Sequence, residues 1–412
     1  MNYNKQTADK IDEHIKNNDV TLDENDPCLK ETHVELTQDD GTRKTIKFDV
    51  IKLPIHLVFP NVRNGRFRDI YLEEKMRLQS EGYNGLDESD DPESWELDPF
   101  DDTQAKIIRE MLLERLEPEA SRKLMTAIST DGQKFPGIIT HDGRVMNANR
   151  RYAVLHRLAS SEEPGFIRVV RLPKDTSDKD LHRIEIKEQM GPDFKLDYSP
   201  INEVLKVQEV SDLGMTVLEI ADEMAKSEEH IEHLQKMYKV ALDVLADNGT
   251  PNQWPLLKDK FSYLDDLMKQ ILSDRKKTIW GLTDFLKIKN AAYKLFWEDD
   301  FSHKDFRKIP KIMKQDRIKK NFLESVEPND QTGEQADIKE AFDRAENAEK
   351  TAQNSLKPQK ILISIKDNFD ALLEVLENNA LLKKQQSLDL MDEIITHSEK
   401  LKEFRDANKE NS

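Results

Sequence analysis

Arg150 and Arg151 are the residues best suited to chemistry, at the end of a stretch running from Asp142 through Asn147, Ala148 and Asn149. A guanidinium presents a planar fork of N–H donors that matches phosphate oxygens two at a time. Ile138, Ile139 and Val145 suit a short hairpin turning at Asp142–Gly143, while Tyr152, Val154, Leu155 and Leu158 begin a helical period. Both arginines therefore fall near a helix N-terminus, where unpaired N–H groups and the macrodipole favour an anion. The chemistry expected here is phosphate binding. His141 and His156 flank the stretch, and each could touch a phosphate, carry a proton or be a hydrogen-bonded surface residue.

The segment resembles the ParB/sulfiredoxin superfamily in four places that follow the family order. Ala148-Asn149-Arg150-Arg151 matches the Gly-Glu-Arg-Arg or Gly-Asn-Arg-Arg box of the ParB branch. Ile51 to Phe59, then Pro60-Asn61-Val62-Arg63-Asn64-Gly65-Arg66, looks like its first box, a strand followed by an Arg-bearing turn. Ile167 to Leu172 reads as the next strand, and Asp197-Tyr198-Ser199-Pro200-Ile201-Asn202-Glu203 resembles the start of the helical domain. The resemblance covers residues 45 to 245 and implies an α+β fold, in which a small mixed-sheet domain is followed by all-helical domains with a helix-turn-helix-like unit. By resemblance the ligand is a nucleoside triphosphate, CTP first, with Mg²⁺. Asn147, Asn149, Arg150 and Arg151 would hold its phosphates, and Arg63, Asn64 and Arg66 would close the site. Glu188 would be the catalytic carboxylate, positioning metal or water. Binding would switch how two protomers clamp DNA, with slow hydrolysis as a reset, in partitioning or in transcriptional control of a chromosome or mobile element.

Three departures accompany these matches. Ala148 stands where the family has Gly, which restricts the backbone wherever positive φ is needed. The third box, Glu188-Gln189-Met190-Gly191, lacks the family arginine, and the only cysteine, Cys28, lies far from the Arg box, which rules out sulfiredoxin chemistry. Two other functions stay open: a metal-dependent nuclease using the Arg pair beside acidic residues, and a partner-binding protein whose nucleotide site has decayed.

With 412 residues the chain has room for two or three domains. No apolar run approaches the roughly 18 residues of a membrane span, and Met-Asn-Tyr-Asn-Lys-Gln lacks a signal-peptide core, so a cytoplasmic protein is expected. One cysteine excludes an internal disulfide and a Cys-based zinc cluster. P-loop, zincin and serine-hydrolase motifs are lacking from the sequence. A net charge of −18 opposes nucleic-acid binding unless a basic face is segregated. Residues 84–102 hold nine acidic residues and no basic one, whereas 301–325 hold eight Lys/Arg against three Asp/Glu.

Six segments are expected to position these groups: a polar N-terminal arm (1–44), the ParB-like domain (45–195), a helical domain with a degenerate helix-turn-helix (196–250), a second helical domain (251–325), a linker (326–340) and a C-terminal helical hairpin or coiled coil (341–412). Thr216 reads as an N-cap, Ile220, Ala221 and Met224 as inward positions, and Lys226-Ser227 as the turn before a second helix. That helix opens with Glu228, Glu229 and Glu232, which argues against base reading, and His230 and His233 read as surface residues. Lys304, Arg307, Lys308, Lys311, Lys314 and Arg317 alternate with Phe306, Ile309, Ile312 and Met313. They predict either a DNA-phosphate face or a solvated face that offsets acidic neighbours. Leu362, Ile365, Phe369, Leu372 and Leu376, then Leu390, Ile394, Leu401 and Phe404, suit a homodimer or a partner protein, or packing onto the body.

Overall fold

The computed structural model describes residues 3–83, 96–159, 165–190, 198–326, 337–375 and 385–409. The acidic run at 84–95, the Gly191 and Asp197 ends of two motifs, most of the linker and Leu376 lie outside the described residues. The chain is mixed α+β, 65% helical, with a small curled mixed sheet. It divides into two compact units, Met1–Ile309 and Pro310–Ser412.

The first unit opens with α1 (Lys5–Asn17), then strands β1 (Glu31–Thr37), β2 (Arg43–Asp49), β3 (Ile51–Pro54) and β4 (Phe59–Pro60). Helices α2 (Arg68–Ser80), α3 (Asp102–Glu110) and α4 (Pro118–Asp131) precede β5 (Gly137–Ile139) and β6 (Arg144–Asn147). Then come α5 (Asn149–Leu158), β7 (Phe166–Arg171), α6 (Asp178–Met190), α7 (Pro200–Asp212), α8 (Val217–Met224) and α9 (Glu228–Asp247). Helices α10 (Phe261–Leu267), α11 (Asp274–Trp280) and α12 (Leu282–Trp297) lead to α13 (Ile309–Ile312), in which the first unit ends.

β1 and β2 form an antiparallel ribbon, and the other five strands lie in the order β3-β7-β5-β6-β4. The β3/β7 and β5/β6 pairs are antiparallel, whereas β5/β7 and β4/β6 are parallel. Alternation along the strands sends Leu53, Ile139, Val145, Ile167 and Val169 to one core, with Tyr152, Ala153 and Val154 of α5. Ile138 and Met146 face the opposite core, built with Leu181 and Ile184 of α6 and Val34 and Leu36 of β1.

The N-terminal segment, expected as a loosely held arm or a short helix followed by one strand, is a short helix followed by a strand and packs on the sheet domain. Ala8 and Ile11 are fully buried, and Asn4 caps α1 by accepting from the Thr7 N–H at 3.1 Å. Gly143, at φ +90°, turns β5 into β6 where a Cβ would sit 2.6 Å from the Leu57 carbonyl oxygen and 2.9 Å from Ile11 Cδ1.

Sequence reading of the α8–α9 region matches the structure closely, because caps are local chemistry. Thr216 and Glu219 form a reciprocal capping box at α8. Ala225 then adopts φ +52°, and Ser227 caps α9 through the His230 N–H. Glu228, Glu229 and Glu232 are exposed at the head of α9. His230 meets Glu203 at 3.0 Å and His233 meets Asp265 at 3.2 Å, so both imidazoles contact carboxylates of neighbouring helices.

In the second unit, α14 (Asp316–Ser325) packs on α15 (Ile338–Val375) through Phe322, Leu323, Ile338, Ala341 and Phe342. Past Pro358, which removes a backbone donor within α15, Leu362 and Ile365 are exposed. α16 (Gln385–Lys409) likewise exposes Leu390, Leu401 and Phe404. No helix among the described residues is long and apolar enough to cross a membrane.

Candidate functional site

Beside the strand-to-helix turn lies a cavity of about 730 Å³, within the size range of small-molecule sites. Three elements build it. The first two turns of α1 contribute Lys5, Gln6 and Lys10, the β4 end and the following turn contribute Phe59, Asn61 and Arg63, and β6 contributes Arg144. Glu96, Asp98 and Phe100 close the far side, where the Phe100 ring lies 4.7 Å from that of Phe59. Asp142 fixes α1 against the hairpin by accepting from the Asn4 N–H at 2.8 Å.

The electrostatics favour an anion. Burial lowers the pKa of Arg144 from its ordinary value, Asp142 and Glu96 oppose that shift, and neighbouring Arg63 adds to it. Arg63 pairs with Glu96. Two guanidinium groups thus share one wall, and their mutual repulsion is relieved by a ligand that is negatively charged.

The turn from Asn61 to Phe67 is shaped by its own asparagines. Asn61 Oδ1 accepts from the Arg63 N–H and Asn64 Oδ1 from the Arg66 N–H, each at 3.1 Å. These Asx turns set the Arg63 and Arg66 backbones without using charge. Asn149 Oδ1 accepts from the Asn61 N–H at 2.9 Å and clasps the turn to α5. Asn61 Nδ2, Asn149 Nδ2 and Arg150 Nε are buried with no hydrogen-bond partner. Three orphaned donors around one turn are costly, about 1–3 kcal/mol each, and acceptor oxygens would satisfy them.

The predicted phosphate residues divide into three groups. Arg63 alone lines the large cavity. Arg66 lies near Arg150, and burial followed by that like charge lowers its pKa, against the influence of Tyr198 and Glu117. Arg150 is held by Glu117 at 2.6 Å. Arg151 points elsewhere: its Nη1 donates to the Phe135 and Pro136 carbonyls at 2.8 and 3.0 Å. The two adjacent side chains thus reach different partners.

Asn147 and Glu188 form a separate contact, in which Asn147 Nδ2 donates to Glu188 Oε2. Glu188 sits on α6, which packs on the Ile138/Met146 face of the sheet, so it does not line the large cavity. Burial raises its pKa, opposed by Asn147 and Arg151. Glu188, for which a catalytic and metal role is expected, is a half-buried carboxylate that accepts from an amide. Among the described residues no three His, Cys, Asp or Glu side chains converge to hold a metal ion. The carboxylates that do border the large cavity are Glu96 and Asp98. Of the flanking histidines, His141 bonds Tyr3 Oη at 3.1 Å and His156 lies edge-on to Tyr152. Burial lowers both pKa values, and a nearby arginine adds to each shift.

Sequence reasoning missed Arg144, Asn61 and the first turn of α1. It also missed a buried ionic cluster behind the turn. The Gly65 N–H donates to Glu185 Oε1 at 2.7 Å, and Lys206 Nζ donates to Glu185 Oε2 at 3.1 Å and Glu209 Oε2 at 2.7 Å. Lys206 also meets His182 Nδ1 at 3.2 Å. Asn202 adds a two-bond clasp to Asp69, tying α7 to the start of α2.

The basic segment is broken rather than continuous, with a 3₁₀ turn at His303–Arg307, then α13 and α14. Phe306, Ile309, Ile312 and Met313 are buried as expected. Arg307 reaches Asp266 at 3.2 Å and Lys308 reaches Asp305 at 2.6 Å, so these two charges are paired internally. Lys311 and Lys314 are exposed, as is Lys304. Arg317 is exposed as well. Comparison with protein-family models and with curated proteins found no match to the chain.

Proposed function

We propose that this chain is a ParB-like, DNA-associated protein that uses a nucleoside triphosphate, CTP foremost, as a conformational switch. The observation that carries this reading is the large cavity in which Arg63 and Arg144 meet the first turn of α1 beside two aromatic rings. Its cations suit a polyphosphate, its aromatic wall suits a base, and its size suits the whole nucleotide. Mg²⁺ usually takes one or two protein carboxylates with phosphate oxygens, and Glu96 and Asp98, which border the cavity, would serve. The metal would supply charge neutralisation on the phosphates, while Arg63 and Arg144 orient them.

The switch follows from what the turn touches. A ligand that draws on Arg63 pulls a turn bonded through Gly65 to α6 and through Asp69 to α7. The capped α8–α9 pair follows α7 as a helix-turn-helix-like unit, with acidic residues where a reading helix would need neutral or basic ones. DNA contact in this reading therefore falls to the exposed Lys311, Lys314 and Arg317 of the second unit, acting on phosphates rather than bases. The exposed apolar positions of α15 and α16 would pair two protomers.

Titration calorimetry with CTP, ATP and GTP plus Mg²⁺ tests the reading. Selective binding of one triphosphate is expected, weakened at least tenfold in Arg63→Gln/Arg144→Gln. Binding unchanged in that variant, or none with all three, refutes it. One observation favours a second reading, a partner-binding protein without nucleotide: Arg150 and Arg151 spend their donors on Glu117 and on backbone carbonyls. Absence of triphosphate binding together with self-association or partner capture that depends on Leu362 and Leu390 would support it.

A further inference from the structure

We propose a second ligand site, independent of the triphosphate reading, that takes a flat aromatic ring carrying an anionic group. It lies in a cavity of about 590 Å³ that has no lining residue in common with the larger one. Helix α2 presents one face to it, because Arg68, Leu72, Lys75, Met76 and Gln79 recur at helical spacing. Leu205 of α7, Tyr238 of α9 and the loop from Pro251 to Pro255 complete the wall.

The lining defines the ligand. Tyr238 stacks on Trp254 with ring centroids 5.3 Å apart and planes 23° from parallel, so a buried indole braces a half-buried phenol ring as a flat surface. Leu72, Met76 and Leu205 make the rest apolar. Arg68 and Lys75 bring two positive charges, and none of the lining residues is acidic, in a chain whose net charge is −18. Arg68 Nη1 is buried with no hydrogen-bond partner, while its guanidinium lies 5.7 Å from the Tyr71 ring centroid. A ring against Tyr238 with its anionic group at the Arg68 guanidinium gains a charge-assisted contact and covers the apolar wall together. Nucleoside monophosphates and aromatic carboxylates share this chemistry.

The test titrates the full chain with AMP, UMP and 4-hydroxybenzoate by calorimetry and by tryptophan fluorescence. At least one probe is expected to bind and to perturb the fluorescence, and which one separates the phosphate from the carboxylate source. Arg68→Gln should weaken it at least tenfold. Gln79→Glu should do the same by placing a negative charge at the mouth, and because Gln79 is exposed this variant keeps the test sound if Arg68→Gln unfolds. No binding by any probe overturns the proposal. So does a probe that is lost in Arg144→Gln but indifferent to Gln79→Glu, since it then occupies the first cavity. Triphosphate binding is measured in the same samples, so failure of one site is distinguishable from failure of the other.

Discussion

Lys206→Met is the sharpest probe of how the turn is held. The Lys206 side chain is 1% exposed and that of Glu185 is 0% exposed, with 3.1 Å between their charged atoms. Removing the cation leaves Glu185 as a buried carboxylate with the Gly65 N–H at 2.7 Å and His182 Nδ1 at 3.9 Å as its remaining partners, and breaking a buried pair in this way costs about 3–5 kcal/mol. That is a large part of a total stability of about 5–15 kcal/mol. Urea unfolding should show a lower midpoint at unchanged slope. Lys206→Met/Glu185→Gln removes the stranded charge and should recover at least half of the loss. In the native chain burial lowers the pKa of Lys206, but Glu185 and Glu209 outweigh it and raise the value above the ordinary 10.5. The contribution of Lys206 is therefore present below that value and lost as pH rises through the folded one. Burial raises the pKa of Glu209, but Lys206 and His182 outweigh it and hold the value below the ordinary 4.5. Its contribution is present above 4.5 and lost as pH falls through the folded value. A Lys206→Met protein within about 1 kcal/mol of native at pH 7 would refute the reasoning, since a pair this buried cannot be replaced by solvent.

Gly143→Ala should lower stability by more than about 2 kcal/mol, because left-handed backbone alone costs roughly 1–2 kcal/mol and the new Cβ meets the Leu57 oxygen at 2.6 Å. A thermal melt within about 2 °C of native would contradict this. Glu188→Gln should leave triphosphate affinity within twofold, and a tenfold loss would return Glu188 to the ligand site. Lys311→Ala/Lys314→Ala/Arg317→Ala should make duplex binding less sensitive to salt, by about 0.9 in log–log slope for each phosphate these side chains neutralise. An unchanged slope would assign those charges to solvent.

What could be read from the sequence was mostly local. The Asp142–Gly143 turn, the Thr216 cap, the Lys226-Ser227 turn and the inward Ile220, Ala221 and Met224 depend on neighbours a few residues away. The site depends on residues far apart in the chain. Arg144 is a single arginine in a four-residue strand, and nothing in its neighbours marks it as the partner of Arg63. The α1 pattern is thin, with Thr7, Ala8 and Ile11 its only buried residues. Lys206 could not be foreseen, because a lysine on a helix is ordinarily exposed and its burial follows from where Glu185 and Glu209 end up. The divergence of Arg150 and Arg151, in contrast, was written in their adjacency, since neighbouring residues on a helix do not face one ligand.

The box at Ala148 to Arg151 then acts as a frame rather than a grip. Ala148 sits at φ +93°, a conformation that costs a residue with a Cβ roughly 1–2 kcal/mol. The strain is sustained because it starts α5 immediately after β6, which brings Asn149 Oδ1 to the Asn61 N–H. That bond, with the two Asx turns, fixes the backbone from Asn61 to Phe67 and so presents Arg63 to the cavity. Arg150 and Arg151 brace the start of the same helix against Glu117 and the Pro136 carbonyl. Any substitution that relaxes the box should therefore act on ligand affinity through the position of Arg63, which places recognition in the turn and the cost of holding it in the helix that follows the sheet.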